Sequence, residues 1–95
     1  MIIAIDYDET YTADMKMFEE IIRLMKSYGH DPIIVTMRYE IEKDQFLKNL
    51  QEKICGGIPV YYTGRKAKRP FMERIGIRPS IWIDDNPRWI IEDAQ

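Results

Sequence analysis

Cysteine and histidine are nearly missing from this chain: Cys55 and His30 are the only ones in 95 residues. One cysteine excludes an intrachain disulfide and points to a reducing compartment, the cytoplasm. The lone histidine falls in a turn at the wrong end of the strands for chemistry and reads as an ordinary turn residue. Charge of one sign is also lacking. A net charge of -2 leaves no overall basic footprint for nucleic acid, although Arg65, Lys66, Lys68 and Arg69 form a local basic cluster that leaves contact with a nucleic-acid end open. The apolar run at the start is far too short for a membrane span and has no basic leader, so no membrane association is expected. There is no internal repeat and no low-complexity linker. The length allows one domain, residues 1–95, which buries roughly 60–65% of its unfolded surface.

What is present is an alternation of short apolar runs with helical patterns. Ile2-Ile3-Ala4-Ile5 reads as a buried parallel strand and leads directly into Asp6-Tyr7-Asp8. After a short polar loop, Asp14 is placed to cap a helix whose buried face is Phe18, Ile21, Ile22, Met25 and Tyr28, with Gly29 as its stop. His30-Asp31-Pro32 is read as a turn. Ile33-Ile34-Val35-Thr36 is the second strand, followed by a helix from about Glu40 to about Lys53. In that helix Leu47, Leu50 and Ile54 face inward, flanked by Ile41 and Phe46. Gly56-Gly57 ends it. Ile58 to Tyr62 is the third strand, placed at a sheet edge because Pro59 has no ladder donor. Thr63 to Lys68 is a basic loop. Pro70 suits the first turn of a third helix with Phe71, Met72 and Ile75 on its apolar side, ending at Gly76. Ser80 to Asp84 is the fourth strand, and Asn86-Pro87 starts a last helix to about Asp93.

Four strand–helix pairs predict an α/β fold: a three-layer, Rossmann-like domain with a small parallel sheet. In such sheets ligands bind outside the carboxyl ends of the strands. Asp6 and Asp8 fall at the end of the first strand, Thr36 and Arg38 at the second, Lys66 and Lys68 after the third, and Asp84 and Asp85 at the fourth. Each has an ordinary explanation alone, as a turn, a cap or a solvated loop charge. Together they form a set: hard carboxylate oxygens suit Mg²⁺, a hydroxyl and an ammonium suit phosphoryl oxygens, and a second carboxylate can move protons. Arg38, Tyr7, Tyr11 and Tyr39 lie near enough to touch a substrate, with packing the commoner role for each tyrosine. Trp82 reads as core, and Trp89 as either core or a dimer contact.

These motifs resemble those of the haloacid dehalogenase superfamily of phosphohydrolases. Ile-Ala-Ile-Asp6-Tyr-Asp8-Glu-Thr10 resembles its DxDxT strand end, Ile-Ile-Val-Thr36 its second motif, Lys68 before Arg69-Pro70 its third, and Ile-Trp-Ile-Asp84-Asp85 its fourth. The resemblance implies a sheet order of 3-2-1-4 and a Mg²⁺-dependent phosphatase that works through an aspartyl phosphate. Asp6 would be the nucleophile, and Asp8 the general acid and then base, its backbone carbonyl also binding the metal. Thr36 and Lys68 would hold the phosphoryl group, with Arg38 as a further substrate contact, and Asp84 and Asp85 would complete the metal site. Lys68 is preferred to Lys66 because it directly precedes the helix. The sequence departs from the family pattern at Glu9, where glycine is most frequent, and in the absence of a fifth strand. It also has no segment long enough for a cap module. An open site implies a bulky phosphorylated substrate, such as a nucleotide or nucleic-acid end, or a second subunit as cover in a homo-oligomer. The alternative is a catalytically weak or silent domain that binds phosphate or metal. A response-regulator-like phosphoacceptor is disfavoured because the third strand, ending Tyr61-Tyr62, carries no aspartate.

Overall fold

The computed structural model describes all residues, 1–95. Its sheet has four parallel strands, β1 (Ile2–Ile5), β2 (Asp31–Thr36), β3 (Val60–Tyr62) and β4 (Ile81–Ile83), in the order β3-β2-β1-β4. Four helices alternate with them: α1 (Met15–Ser27), α2 (Gln45–Glu52), α3 (Lys68–Arg74) and α4 (Arg88–Ile91). The fold is therefore the expected three-layer α/β domain. No helix is long and apolar enough to cross a membrane.

The two-residue period of a strand divides the core. Ile3, Ile5 and Ile34 project to one face, where they pack with Phe18, Ile22, Leu47 and Leu50 of α1 and α2. Ala4, Ile33 and Val35 project to the other, against Met72 of α3, with Trp82 half-buried beside them. The chain proceeds β1 to β2 to β3 across one half of the sheet, then returns to place β4 beside β1. With the hand of each crossover fixed, that reversal puts α3 on the face opposite α1 and α2. The carboxyl ends of β1 and β4 are thus adjacent while their following helices lie on different faces, the arrangement that opens a crevice in doubly wound sheets.

Several element limits differ from the sequence reading. β2 begins at Asp31, so Asp31-Pro32 is strand rather than turn; the Asp31 N–H reaches the Met1 carbonyl at 2.9 Å. β3 is shorter than expected, but it is the edge strand, and Pro59 contributes its carbonyl to the Ile34 N–H at 2.9 Å. Tyr28 is not on the buried face; it closes α1 as its C-cap and is exposed. Ile75 at the end of α3 is exposed too.

The largest difference is the second helix. A 3-10 turn at Glu40–Glu42 gives way to extended backbone at Lys43, and α2 starts only at Gln45. The cause is Asp44. Its carboxylate accepts the Leu47 N–H at 2.9 Å, as an N-cap does, and also the Tyr7 hydroxyl at 2.9 Å. A residue so tied cannot sit inside a helix, and the turn before it loses the apolar phase. Ile41 is consequently 94% exposed and Phe46 more than half exposed, whereas Leu47 and Leu50 are fully buried.

Leu47→Ala should therefore destabilise the protein by about 2–5 kcal/mol, and Ile41→Ser should change stability by less than about 0.5 kcal/mol in denaturant unfolding. A large loss at Ile41 would restore the longer helix.

Candidate active site

The rim formed by the strand ends brings together residues up to 78 positions apart in the chain, from Asp6 to Asp84. β1 ends at Ile5, but the Asp6 N–H still reaches the Ile83 carbonyl at 2.9 Å, which fixes Asp6 beside the end of β4. The chain then turns sharply. The N–H groups of Thr10 and Thr12 both point to the Tyr7 carbonyl, and the Tyr11 N–H to the Asp6 carbonyl. This turn needs a left-handed residue, and Glu9 supplies it at φ 62°. That conformation is where a glycine costs nothing, and a side chain costs about 1–2 kcal/mol.

Lys68 is the centre of the site. It lies in the first turn of α3 and is 2% exposed. Its Nζ donates to Asp6 Oδ1 at 2.7 Å and to Asp84 Oδ2 at 2.6 Å. The other Asp84 oxygen accepts the Asn86 N–H at 3.0 Å. Lys66, by contrast, is largely exposed and only approaches Asp93, at 4.0 Å. Of the two candidate lysines, Lys68 is the one at the carboxylates.

Asp85 completes the group: carboxylate oxygens of Asp6, Asp84 and Asp85 lie within 4.8 Å of one another. Thr10, the last residue of the Asp6-Tyr-Asp8-Glu-Thr10 stretch, joins two of them, a role its spacing alone does not signal. Its hydroxyl lies 3.1 Å from Asp6 Oδ2 and 2.9 Å from Asp85 Oδ1, and accepts the Asp85 N–H at 3.1 Å. One hydroxyl proton cannot serve two carboxylate oxygens. Three carboxylates share one ammonium and one hydroxyl, so the set is short of positive charge. Burial pushes the Asp6 carboxyl up to about 7, against the opposing pull of Lys68. Asp85 is held below the usual range, first by its hydrogen bond with Asp6 and then by that with Thr10.

Thr36 is buried at the end of β2, where its hydroxyl accepts the Arg38 N–H at 3.3 Å. Asp8 bonds none of the other carboxylates or Lys68. Its two oxygens accept from Arg38 Nη2 at 2.7 Å and Nε at 2.9 Å. Arg38, expected as a substrate contact, is held by protein groups. Tyr7 and Tyr11 are also not free: both are fully buried, their rings stacked 5.9 Å apart. Burial and the hydrogen bond to Asp44 push the Tyr7 hydroxyl well above its ordinary value. Tyr39 is half exposed and carries the Arg65 guanidinium 5.5 Å from its ring.

An open cavity of about 430 Å³ lies over these groups. Asp6, Asp8, Thr36, Lys68 and Asp85 line it together with Glu9, Thr12, Arg65, Asn86 and Trp89. Trp89 is thus a wall of the cavity, an outcome that a four-residue helix gives no periodicity to foresee. Arg65 owes its place to a left-handed backbone at φ 69° and to its donation to the Met37 carbonyl at 2.7 Å. His30 is far from this rim and bonds the N-terminal amine at 3.1 Å. No family model, no curated protein and no solved structure matches this chain.

The folded protein holds the Asp6 proton more tightly than the unfolded chain does. Without divalent cations, stability should therefore fall as pH rises from 3.8 to about 7. Asp6→Asn should lose this dependence and be more stable than the parent at pH 8 by about 1–3 kcal/mol, and so melt at a higher temperature, with Mg²⁺ narrowing the difference. Melts at pH 5 and pH 8 with and without chelator test this; parallel curves would remove the argument. Separately, Glu9→Gly should raise stability by about 1 kcal/mol in urea unfolding, because it relieves the left-handed strain.

Proposed function

We propose that this protein is a Mg²⁺-dependent phosphohydrolase of the haloacid dehalogenase type, acting through an aspartyl phosphate on Asp6. The observation that carries the reading is the buried Lys68 ammonium bonded to Asp6 and Asp84 on neighbouring strand ends. A lysine needs only one carboxylate partner to be buried. Two, with Asp85 close by, make an anionic cluster that calls for a further cation.

The residues present fit that cation. The donors are all carboxylate oxygens, hard ligands from the ends of two strands, and the single Thr10 proton leaves them undersupplied. Asp6, Asp84 and Asp85 would hold Mg²⁺, which when bound would neutralise charge on the phosphoryl oxygens and on the nucleophile. In the proposed reaction, Asp6 attacks phosphorus as the bond to the leaving oxygen breaks, and Asp8 donates a proton to that oxygen. Asp8 then takes a proton from the water that attacks the aspartyl phosphate, releasing inorganic phosphate and regenerating Asp6. Lys68 balances charge on Asp6 and the transferred group, and the Thr36 hydroxyl is available to a phosphoryl oxygen.

The open cavity, with Trp89 and Arg65 on its walls, suits a bulky phosphorylated substrate such as a nucleotide or nucleic-acid end; cover by a second copy of the chain is the other way to exclude water. Glu9 favours a second reading, a catalytically silent domain that binds metal or phosphate. It adds a carboxylate to the lining of an already acidic cavity.

The two readings separate in one titration. Mg²⁺ with beryllofluoride, a mimic of the phosphoryl group, should shift the amides of Asp6, Thr36, Lys68 and Asp84 in the parent and leave Asp6→Asn unchanged. On aryl and nucleoside phosphates, Asp6→Asn should lose at least about 10³-fold in turnover while keeping its fold. Beryllofluoride binding without turnover of any phosphoester would favour the silent domain. Undiminished turnover in Asp6→Asn would end the proposal.

A further inference from the structure

Arg38 stands two residues past the end of β2, next to Met37, which lines the cavity. Its hydrogen bonds go to protein groups. Nε donates to Asp8 Oδ2 at 2.9 Å and Nη2 to Asp8 Oδ1 at 2.7 Å, a two-pronged grip on one carboxylate. Nη1 donates to the Glu42 carbonyl at 2.8 Å and to Asp44 Oδ2 at 3.3 Å. The guanidinium also lies over the Tyr7 ring, 5.1 Å from its centre. Four of its five N–H groups are therefore committed to protein acceptors.

The groups behind Arg38 are themselves fixed. Asp44 caps α2 through Leu47, and the Tyr7 hydroxyl that donates to its carboxylate lies 2.9 and 3.0 Å from the two oxygens. Tyr7 is fully buried in the main core. Asp8, in contrast, sits on the strained turn beside Glu9 with a half-exposed side chain, and Arg38 is the only group its side chain bonds. Rigidity passes from the core and the α2 cap, through Asp44 and Arg38, to Asp8. Swinging Arg38 onto a ligand would break four hydrogen bonds and release the one carboxylate that the proposed reaction needs in place.

We propose that Arg38 is a positioning residue that orients Asp8, with Asp44 fixing Arg38 from behind, and that it does not bind the phosphoryl group. This rests on the phosphohydrolase reading above. It gives a function to Asp44, which lies outside the four motifs, and it explains why the helix starts at Gln45: the cap is shared with the site.

The test uses p-nitrophenyl phosphate with Mg²⁺ and the variants Arg38→Met, Arg38→Lys, Asp44→Asn, Asp8→Asn and Asp8→Asn/Arg38→Met. Arg38→Met should lower kcat about 10²–10⁴-fold, the usual worth of an acid–base group, with KM changed less than about threefold. Arg38→Lys should not restore activity, since an ammonium cannot grip both oxygens. Asp44→Asn, which keeps a capping oxygen, should give a smaller loss of kcat alone. Because Arg38 acts through Asp8, the double variant should be no slower than Asp8→Asn. The Arg38 Nε–H signal should also keep its position when Mg²⁺ and beryllofluoride are added. A raised KM with kcat unchanged, additive losses in the double variant, or a large beryllofluoride shift at Arg38 Nε would each overturn the inference and leave the phosphohydrolase reading standing. A parent that neither turns over the ester nor binds beryllofluoride would overturn both.

Discussion

Everything at the rim depends on one ammonium held out of water between two carboxylates. Lys68 is almost wholly buried and bonds Asp6 and Asp84 at once. An unpaired charge there would cost several kcal/mol, so the burial of this ammonium depends on the carboxylates that are delivered to it. That requirement ties together the ends of β1 and β4 and the first turn of α3. It accounts for the sheet order at this place: only adjacency of β1 and β4 puts Asp6 and Asp84 within reach of one side chain. The same contact leaves the group short of positive charge, which is the chemical opening the proposed function uses.

A second network adjoins the first and serves precision rather than charge. Tyr7, Asp44 and Arg38 connect the core beneath the sheet to Asp8 above it. The two networks meet on one short segment, Asp6-Tyr7-Asp8, whose three side chains each bond a different partner. Asp6 turns to Lys68, Tyr7 goes down into the core, and Asp8 turns to Arg38. Glu9 then absorbs the left-handed turn that lets the chain leave the rim. A segment with this many obligations tolerates little movement, and its strain is repaid by the hydrogen bonds on either side of it.

The four strands and the rim shared by their carboxyl ends were legible in the sequence because they follow from short-range patterns, whereas the strand order was an expectation that only the motif resemblance supplied. Ile2 to Ile5 and Ile33 to Val35 are unbroken apolar runs, as strands buried on both faces are, and Pro59 names its edge by lacking a donor. Once a parallel sheet is accepted, the residues after each strand must share a rim. The fold and the meeting of Asp6, Thr36, Lys68 and Asp84 there needed no further information. The preference for Lys68 over Lys66 rested on its place directly before the third helix; α3 in fact begins with Lys68, and a first-turn residue can point back at the strand ends.

Tertiary structure alone decided what each rim residue faces. Asp8 and Arg38 stand thirty positions apart, so no local pattern could show that they bind each other. Asp44 looked like one more polar residue of a helix, and only its contacts with Tyr7 and Arg38 made it a cap and moved the helix start. Thr10 became a bridge between Asp6 and Asp85, and Trp89 a cavity wall, through packing that a short loop and a single helical turn do not encode by periodicity. The physical division is one of range. Backbone geometry and burial repeat along the chain and can be read from it, whereas the partner of a charged side chain is set by which segments the fold brings within about 3 Å of each other.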